Sequence, residues 1–199
     1  MRTSALALLI LLQPAAALAA TTKVEVSRFH LLAPPAPSLS GSSITVEPAA
    51  PTAEPPSLQF GVLAAAAYAE LARAGFKPMA AGQPADHVAR ITLTGTSEVV
   101  RKRSPISIGV GGGTGGWNGG VGGGVSFPIG GGTRTVTAAQ MTIQIRRASD
   151  KTVVWEGRAS AIAPGADPIS AAPALLQALL KGFPGANGRS ETVKVKTTP

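Results

Sequence analysis

Residues 139–161, AQMTIQIRRASDKTVVWEGRASA, decide the fold class, because they contain two alternating runs joined by a short polar turn. In both runs, small or apolar residues stand at every second position, which is typical of β-strands with one buried face. The pattern predicts adjacent antiparallel strands at 139–145 and 153–161, with Trp155 as a core anchor rather than a ligand platform. Their shared apolar face is predicted to hold Met141, Ile143, Ile145, Val153 and Trp155.

Two other segments have the spacing of apolar residues that predicts amphipathic helices on this sheet. The first extends from Phe60 to Ala74, with Ser57 near its start and Gly75 placed to end it. The second covers residues 171–181, and Pro173 lies in its first turn, where the missing N–H is not needed. Both helices are expected to pack on one face of the sheet.

The remaining strands are predicted from shorter runs in which apolar and polar residues alternate. Val24 and Val26 alternate, but Phe29 and Leu31 continue one step out of phase, which predicts a bulge near Ser27-Arg28. A further strand is expected at 89–93, continuing through Val99, and short strands are allowed at Ile44/Val46 and at Val193/Val195. The sequence thus predicts an α+β fold, with a mainly antiparallel sheet of four to five strands and a glycine-rich hairpin or loop insert.

The first nineteen residues have the organisation of a secretory signal peptide. Arg2 gives a positive start, a seven-residue apolar run follows, and the triplet Ala17-Leu18-Ala19 is a cleavage site. We expect cleavage after Ala19 and a periplasmic protein, peripheral to the outer membrane in one reading, with secretion less favoured. The predicted parts are a signal peptide (1–19), one α+β domain (20–184) with a proline-rich segment (33–58) and a glycine-rich insert (106–132), and a basic tail (185–199).

The composition excludes several kinds of chemistry. The chain has no cysteine, which excludes disulfides, thiol catalysis and thiolate zinc sites. Its two histidines, His30 and His87, are the only candidate bases for a hydrolytic triad, and Asp86 is predicted to point away from His87 on the opposite strand face. The dinucleotide-like spacing at 111–116 is expected by chance in a glycine-rich tract with no helix after it. We therefore predict no enzyme activity, no cofactor and no metal site.

The insert at 106–132 carries its own strand pattern. Apolar residues alternate on both sides of Asn118-Gly119, the preferred pair for a type I′ turn, which predicts a β-hairpin with Ile108 opposite Ile129. An uncovered apolar face of this hairpin would contact a membrane interface or another copy of the chain. An unpaired glycine loop is the alternative, since glycine weakens strands. The predicted contact residues are Trp117 and Phe127.

The net charge is +8, and two basic clusters lie on strands that are predicted neighbours. One interpretation is a surface for an anionic partner such as lipid headgroups, lipopolysaccharide or a cell-wall polymer. The other is a solvated outer sheet face. Nucleic acid is excluded as a partner by export and by the lack of an aromatic platform. The clusters are Arg101, Lys102 and Arg103, and Arg146 and Arg147.

The order of short motifs resembles the bacterial envelope family called domain of unknown function 4136. The resemblance covers roughly residues 59–184, and its features are Ala74-Gly75-Phe76, Ala85-Asp86, the glycine-rich insert, the segment 150–157 and Phe183-Pro184. Many members look like lipoproteins, whereas this chain lacks a cysteine that could be acylated. The resemblance implies a fold and a compartment and leaves the activity open.

These observations predict an exported, non-catalytic protein that binds or braces an unknown envelope component. The alternative is a self-assembling or membrane-peripheral protein that acts through the glycine-rich hairpin, with a homo-oligomer as the assembled form.

Overall fold

A computed structural model describes residues 20–32, 39–50, 57–100, 107–108, 125–126 and 134–197. These residues form an α+β fold of strands and two α-helices, with a short 3-10 helix at Pro168–Ala171 before the second. The helices are α1 (Leu58–Arg73) and α2 (Ala172–Leu180). The strands are β1 (Ala20–His30), β2 (Ser43–Pro48), β3 (Lys77–Pro78), β4 (His87–Val100), β5 (Ser107–Ile108), β6 (Val125–Ser126), β7 (Arg134–Arg147), β8 (Val153–Pro164) and β9 (Arg189–Thr197).

The main sheet has seven strands in the order β3-β2-β4-β7-β8-β1-β9, and it is mixed. The predicted mainly antiparallel sheet of four to five strands was wrong on both points. Strand β2 pairs in parallel with β3 and β4, because α1 carries the chain back across the sheet before each of them begins. Strand β3 escaped prediction because it is two residues long, and β9 is longer than the short strand that was allowed at Val193/Val195 within the basic tail.

The hairpin of β7 and β8 confirms the strand pair predicted from residues 139–161. Ile143 pairs with Gly157 and Ile145 pairs with Trp155. The register shifts after Ile145, so that Arg146 pairs with Val153. This irregularity leaves Val153 only partly buried and brings Val154 into the core in its place. Trp155 is fully buried, as expected of a core anchor.

Strand β1 keeps one phase throughout, so the bulge predicted near Ser27-Arg28 was wrong. Its pairing with β8 runs without a break from Glu25 to His30. As a result Arg28 occupies the core-facing position after Val24 and Val26 and is 2% exposed, whereas Phe29 points to the opposite face. The prediction failed because it assumed that the apolar residues, and not the arginine, would face the core.

Both helices pack on the same face of the sheet, as predicted. The Ser57 side chain accepts a hydrogen bond from the Phe60 N–H and caps α1, and Gly75 adopts φ +99° just beyond its end. Leu63, Ala67 and Leu71 of α1 are buried. Seven residues of α2 are buried, and they join the α1 residues and the core-facing strand residues in one hydrophobic cluster.

The absence of a side chain at Gly157 makes room for the Trp155 ring two residues earlier on the same strand face. A Cβ atom at Gly157 would overlap the Trp155 ring and would lie 2.8 Å from Leu179 Cδ2. We therefore expect Gly157→Ala to lower the free energy of unfolding by about 1–3 kcal/mol, the range typical of overpacked cores. Urea denaturation would measure this change.

The matched control is Gly61→Ala on α1, where a new Cβ atom would meet nothing within 4 Å. This substitution should raise the free energy of unfolding by about 0.5–1 kcal/mol, because alanine is the better helix former. If Gly157→Ala were as harmless as Gly61→Ala, the Trp155 ring would not lie against the β8 backbone.

The described part of the glycine-rich insert is an antiparallel pair of two-residue strands, β5 and β6. Ile108 pairs with Val125, so the predicted pairing of Ile108 with Ile129 was wrong by four residues. Register is weakly specified in glycine-rich strands, because few side chains distinguish one pairing from the next. Most of the predicted hairpin, including Asn118-Gly119, lies outside the described residues.

Candidate functional site

The sheet face opposite the helices carries polar side chains in rows across the strands. Arg146 Nη2 lies 2.6 Å from Gln144 Oε1, and Gln144 Nε2 lies 2.8 Å from Glu156 Oε2. Arg158 Nε donates to the other Glu156 oxygen at 3.0 Å. We call this surface the open face. One of its rows crosses five strands through Glu47, Arg90, Gln144, Glu156 and Phe29.

Cations on the open face are unequally compensated. Arg90 pairs with Glu47 at 3.6 Å, and Arg158 pairs with Glu156. By contrast, Arg146 donates to the neutral amide of Gln144, and its buried Nε atom has no hydrogen-bond partner among the described residues. Arg146 is therefore a cation with an unused donor, which is suited to an anionic group.

The open face also exposes two large apolar side chains beside these charges. Phe29 is 52% exposed and Leu31 is 67% exposed. Together with Val153, Glu156 and Arg158 they line a groove of about 610 Å³. The groove was not predicted from the sequence, because the expected bulge in β1 would have turned Phe29 and Leu31 toward the core.

Of the five predicted basic contact residues, the structure describes Arg146 and Arg147. Arg146 and Arg147 are strand neighbours that point to opposite sides, with Arg146 on the open face and Arg147 beside His87. Strands β4 and β7 are neighbours, but Val100 pairs with Arg134, about 40 Å along β7 from Arg146 at ~3.3 Å per residue. The residues that follow Val100, Arg101, Lys102 and Arg103, lie outside the described residues, as do Trp117 and Phe127.

A cavity of about 730 Å³ opens at the end of the sheet where β4 begins and β7 ends. One wall is apolar and contains Leu31, Leu32, Leu39 and Val154. The polar lining residues are Ser42, Asp86, His87, Arg147 and Ser149. This volume is within the range of small-molecule sites, and we call it the sheet-end cavity.

Asp86 ties the start of β2 to the start of β4. Its Oδ2 atom accepts hydrogen bonds from the Ser43 N–H at 2.8 Å and from the Ser43 hydroxyl at 2.7 Å. These two bonds hold the pKa of the Asp86 carboxyl below its ordinary value of 3.8. The Ser43 hydroxyl donates a hydrogen bond to the Asp86 carboxylate. This carboxylate is a weak base, so it does not activate the hydroxyl as a nucleophile.

His87 is 9% exposed, and its Nδ1 atom has no hydrogen-bond partner among the described residues. Burial lowers the pKa of the imidazole below 6.5; the Asp86 charge opposes this effect and the Arg147 charge adds to it. His87 is therefore neutral at pH 7, with one N–H donor and one acceptor.

The lowered pKa of His87 predicts a loss of stability in mild acid. As the pH falls below 6.5, the unfolded chain binds a proton at residue 87 more readily than the folded chain does, so the free energy of unfolding decreases. Above pH 6.5 this effect is absent. Between about pH 7.5 and pH 5, we expect the parent to lose more stability than His87→Gln in urea denaturation.

Because His30 is present in both proteins, the difference between their pH profiles isolates residue 87. Parallel profiles would contradict a neutral, buried imidazole at this position.

Within the described part of the chain, no three His, Cys, Asp or Glu side chains lie close enough together to hold a metal ion. Nor is any helix among those residues long and apolar enough to cross a membrane. The glycines at 111–116 lie outside the described residues. The described residues form an α+β module with an open polar sheet face and a cavity at one end of the sheet.

The family described as Domain of unknown function (DUF4136) matches residues 45–185 of this chain. The chain belongs to this family, which confirms the resemblance seen in the order of its motifs. The match includes β2 from residue 45 onward, both helices and strands β3 to β8, whereas β1 and β9 lie outside it. No curated protein is similar enough to match.

Several solved structures match this chain at low sequence identity. Two structures of the PelC dodecamer from Paraburkholderia phytofirmans are 17% and 15% identical, with TM-scores of 0.42 and 0.38. In both, the match covers 77% of this chain and 91% of the other chain. A PDZ domain protein from Parabacteroides distasonis is 12% identical, with a TM-score of 0.44, over 89% of this chain and 40% of its own.

Proposed function

We propose that this protein is an exported, non-catalytic component of the bacterial envelope that binds an anionic lipid surface through its open face. The signal peptide pattern at 1–19 supports export to the periplasm, and the family resemblance supports an envelope location. The weak base beside Ser43 supports a binding role over a catalytic one. Anionic lipid is favoured over a cell-wall polymer, because the groove combines exposed apolar side chains with cations.

The groove beside Phe29 and Leu31 is the observation that carries this proposal. Exposed aromatic and aliphatic side chains enter the boundary between headgroups and acyl chains, and nearby arginines attract anionic headgroups. Arg158 lines the groove itself, and Arg146 is paired with Val153 of its wall across the sheet. Arg146 donates to the neutral amide of Gln144, so its positive charge is available to attract a phosphate group.

Co-sedimentation with phosphatidylglycerol-containing vesicles tests this proposal. The parent should bind these vesicles more than pure phosphatidylcholine vesicles, and binding should weaken as salt is raised. Phe29→Ser combined with Leu31→Ser should abolish most of the binding. The matched control is Val62→Ser, because Val62 is 65% exposed but lies on α1, away from the open face. Equal binding by the double variant and the parent would contradict the proposal.

Self-assembly through the glycine-rich insert is the second candidate function. It is favoured by the antiparallel pairing of β5 with β6, which supports a hairpin rather than an unpaired loop. Deletion of residues 109–124 should then reduce the oligomeric mass in size-exclusion chromatography with light scattering. An unchanged mass would leave the insert without a role in assembly.

Export is tested separately from binding. The periplasmic protein should begin at Ala20, and its mass should be that of the chain without residues 1–19. A periplasmic protein that retains Met1 would contradict cleavage after Ala19.

A further inference from the structure

The sheet-end cavity adjoins the groove of the open face, with which it shares Leu31 and Val154, but it has a chemistry of its own. Its volume of about 730 Å³ is large enough for a small organic ligand. Its leucines and Val154 form an apolar wall, while Arg147 and His87 lie among the polar lining residues. A site of this kind fits a molecule with one polar end and one apolar end.

Arg147 is the cationic side chain in the lining of this cavity, and it can hold an anionic end. Asp86 also lines the cavity, where its Oδ2 atom accepts two hydrogen bonds from Ser43. Arg147 uses Nη1 to bind Asp150 at 2.6 Å, and its side chain is 48% exposed. A guanidinium has five N–H donors, and Asp150 is the acceptor found for it among the described residues. The other donors are available to a carboxylate or phosphate.

His87 adds a second, independent sign of a ligand site. Its side chain is nine-tenths buried in the lining of the cavity, and Nδ1 lacks a partner among the described residues. A buried polar atom left without a partner is costly, and buried polar groups normally have a hydrogen-bond partner. Because the imidazole is neutral, it offers a donor or acceptor to a ligand without adding a further charge.

We propose that the sheet-end cavity binds an aliphatic chain that ends in a carboxylate or phosphate, with the anionic group on Arg147 and the chain against Leu31, Leu32, Leu39 and Val154. This chemistry is shared by free fatty acids and by lipid phosphates. The inference does not rest on the open face as a membrane-binding surface. It adds a site for a single amphipathic molecule.

Isothermal titration calorimetry of the full chain with decanoate and with decyl phosphate tests the site, at concentrations where neither forms micelles. We expect saturable binding of one molecule, with affinity rising up to about fourfold for each methylene added from hexanoate to decanoate. Decanol should bind at least about tenfold more weakly than either anion, since it lacks the charge that pairs with Arg147. Tighter binding of decanoate identifies a fatty acid as the source, and tighter binding of decyl phosphate identifies a lipid phosphate.

Three variants separate a ligand contact from a structural role. Arg147→Gln should weaken decanoate binding at least about tenfold. Asp150→Asn removes the same ion pair but frees the guanidinium, so it should bind decanoate as tightly as the parent or more tightly. Arg158→Gln, on the open face, should leave decanoate binding unchanged while weakening vesicle binding. Leu31 lines both places, so it is the two arginine variants that distinguish failure of one proposal from failure of the other: Arg147 lines the cavity alone and Arg158 lines the groove alone.

Equal affinity of the parent and Arg147→Gln would overturn the proposal, as would equal losses in Arg147→Gln and Asp150→Asn. The chain itself is the competing occupant, since residues 33–38 join Leu32 to Leu39. If the parent binds no decanoate but a variant with a Gly-Ser sequence at 33–38 does, the cavity is filled by the chain and the proposal is overturned.

Discussion

Replacing Arg28 with methionine is expected to lower the free energy of unfolding by about 3–5 kcal/mol, a large part of the stability of a domain of this size. Arg28 is buried under the end of α2, where Nε donates to the Leu179 carbonyl at 2.8 Å and Nη2 donates to the Ala178 carbonyl at 2.6 Å. Methionine fills a similar volume but leaves these carbonyls without partners. Urea denaturation would measure the loss.

Arg28 also forms an ion pair with Glu191 of β9, and this pair should matter much less than the helix contacts. The carboxylate that Glu191→Gln removes is 51% exposed and already partly solvated, and Arg28 keeps its hydrogen bonds to the α2 carbonyls. Glu191→Gln is therefore expected to change the free energy of unfolding by no more than about 1 kcal/mol. Arg28→Lys should recover little, because an ammonium cannot reach the same carbonyls as a planar guanidinium.

If the free energy of unfolding of Arg28→Met were within about 1 kcal/mol of the parent value, the contact between Arg28 and the end of α2 would not support the fold. The structure predicts the opposite. The carbonyls at a helix C-terminus need donors, and a cation is favoured at the negative end of the helix dipole.

Trp155→Ala is the second large effect, with an expected loss of about 3–5 kcal/mol in the free energy of unfolding. The Trp155 ring is fully buried and lies 5.4 Å from the Phe183 ring, which in turn contacts Phe76 at 5.3 Å. Its Nε1 donates to the Pro184 carbonyl at 2.9 Å. The substitution removes the side chain that joins β8 to the segment after α2, and it leaves a cavity there.

A second substitution and a surface control show which part of Trp155 accounts for the expected loss of stability. Trp155→Phe keeps most of the ring contact but removes the hydrogen bond to Pro184. It should lower the free energy of unfolding by less than Trp155→Ala does. Phe29→Ala is the matched surface control, since this aromatic residue on β1 is half-exposed and should change stability by less than about 0.5 kcal/mol. Thermal or urea denaturation of Trp155→Ala that matched the parent would contradict the core assignment.

Short-range sequence patterns were sufficient to predict the strands and helices that have one apolar and one polar face. The β7–β8 hairpin follows from two alternating runs and a polar turn, and α1 follows from helical spacing between Ser57 and Gly75. In both cases the chain itself carries the period of the secondary structure. The family could also be recognised, because the order of its motifs is a property of the sequence.

The candidate sites depended on contacts between distant residues, which periodicity does not encode. Asp86 meets Ser43 only because α1 returns the chain parallel to β2, and the sheet-end cavity forms only where the ends of five strands meet. The register of β4 on β7 separates Val100 from Arg146. This separation could not be read from two basic clusters on neighbouring strands.

The sequence by itself determined the α+β class, the two helices, the central hairpin and the family. Only the tertiary structure decided the seven-stranded mixed sheet and the orientation of β1. Alternation placed Phe29 and Leu31 in the core because transfer from water favours apolar burial. In the folded chain, the carbonyls at the end of α2 and the carboxylate of Glu191 lie where they can bind a buried arginine. Arg28 therefore faces inward, and the two apolar residues are left on the open face.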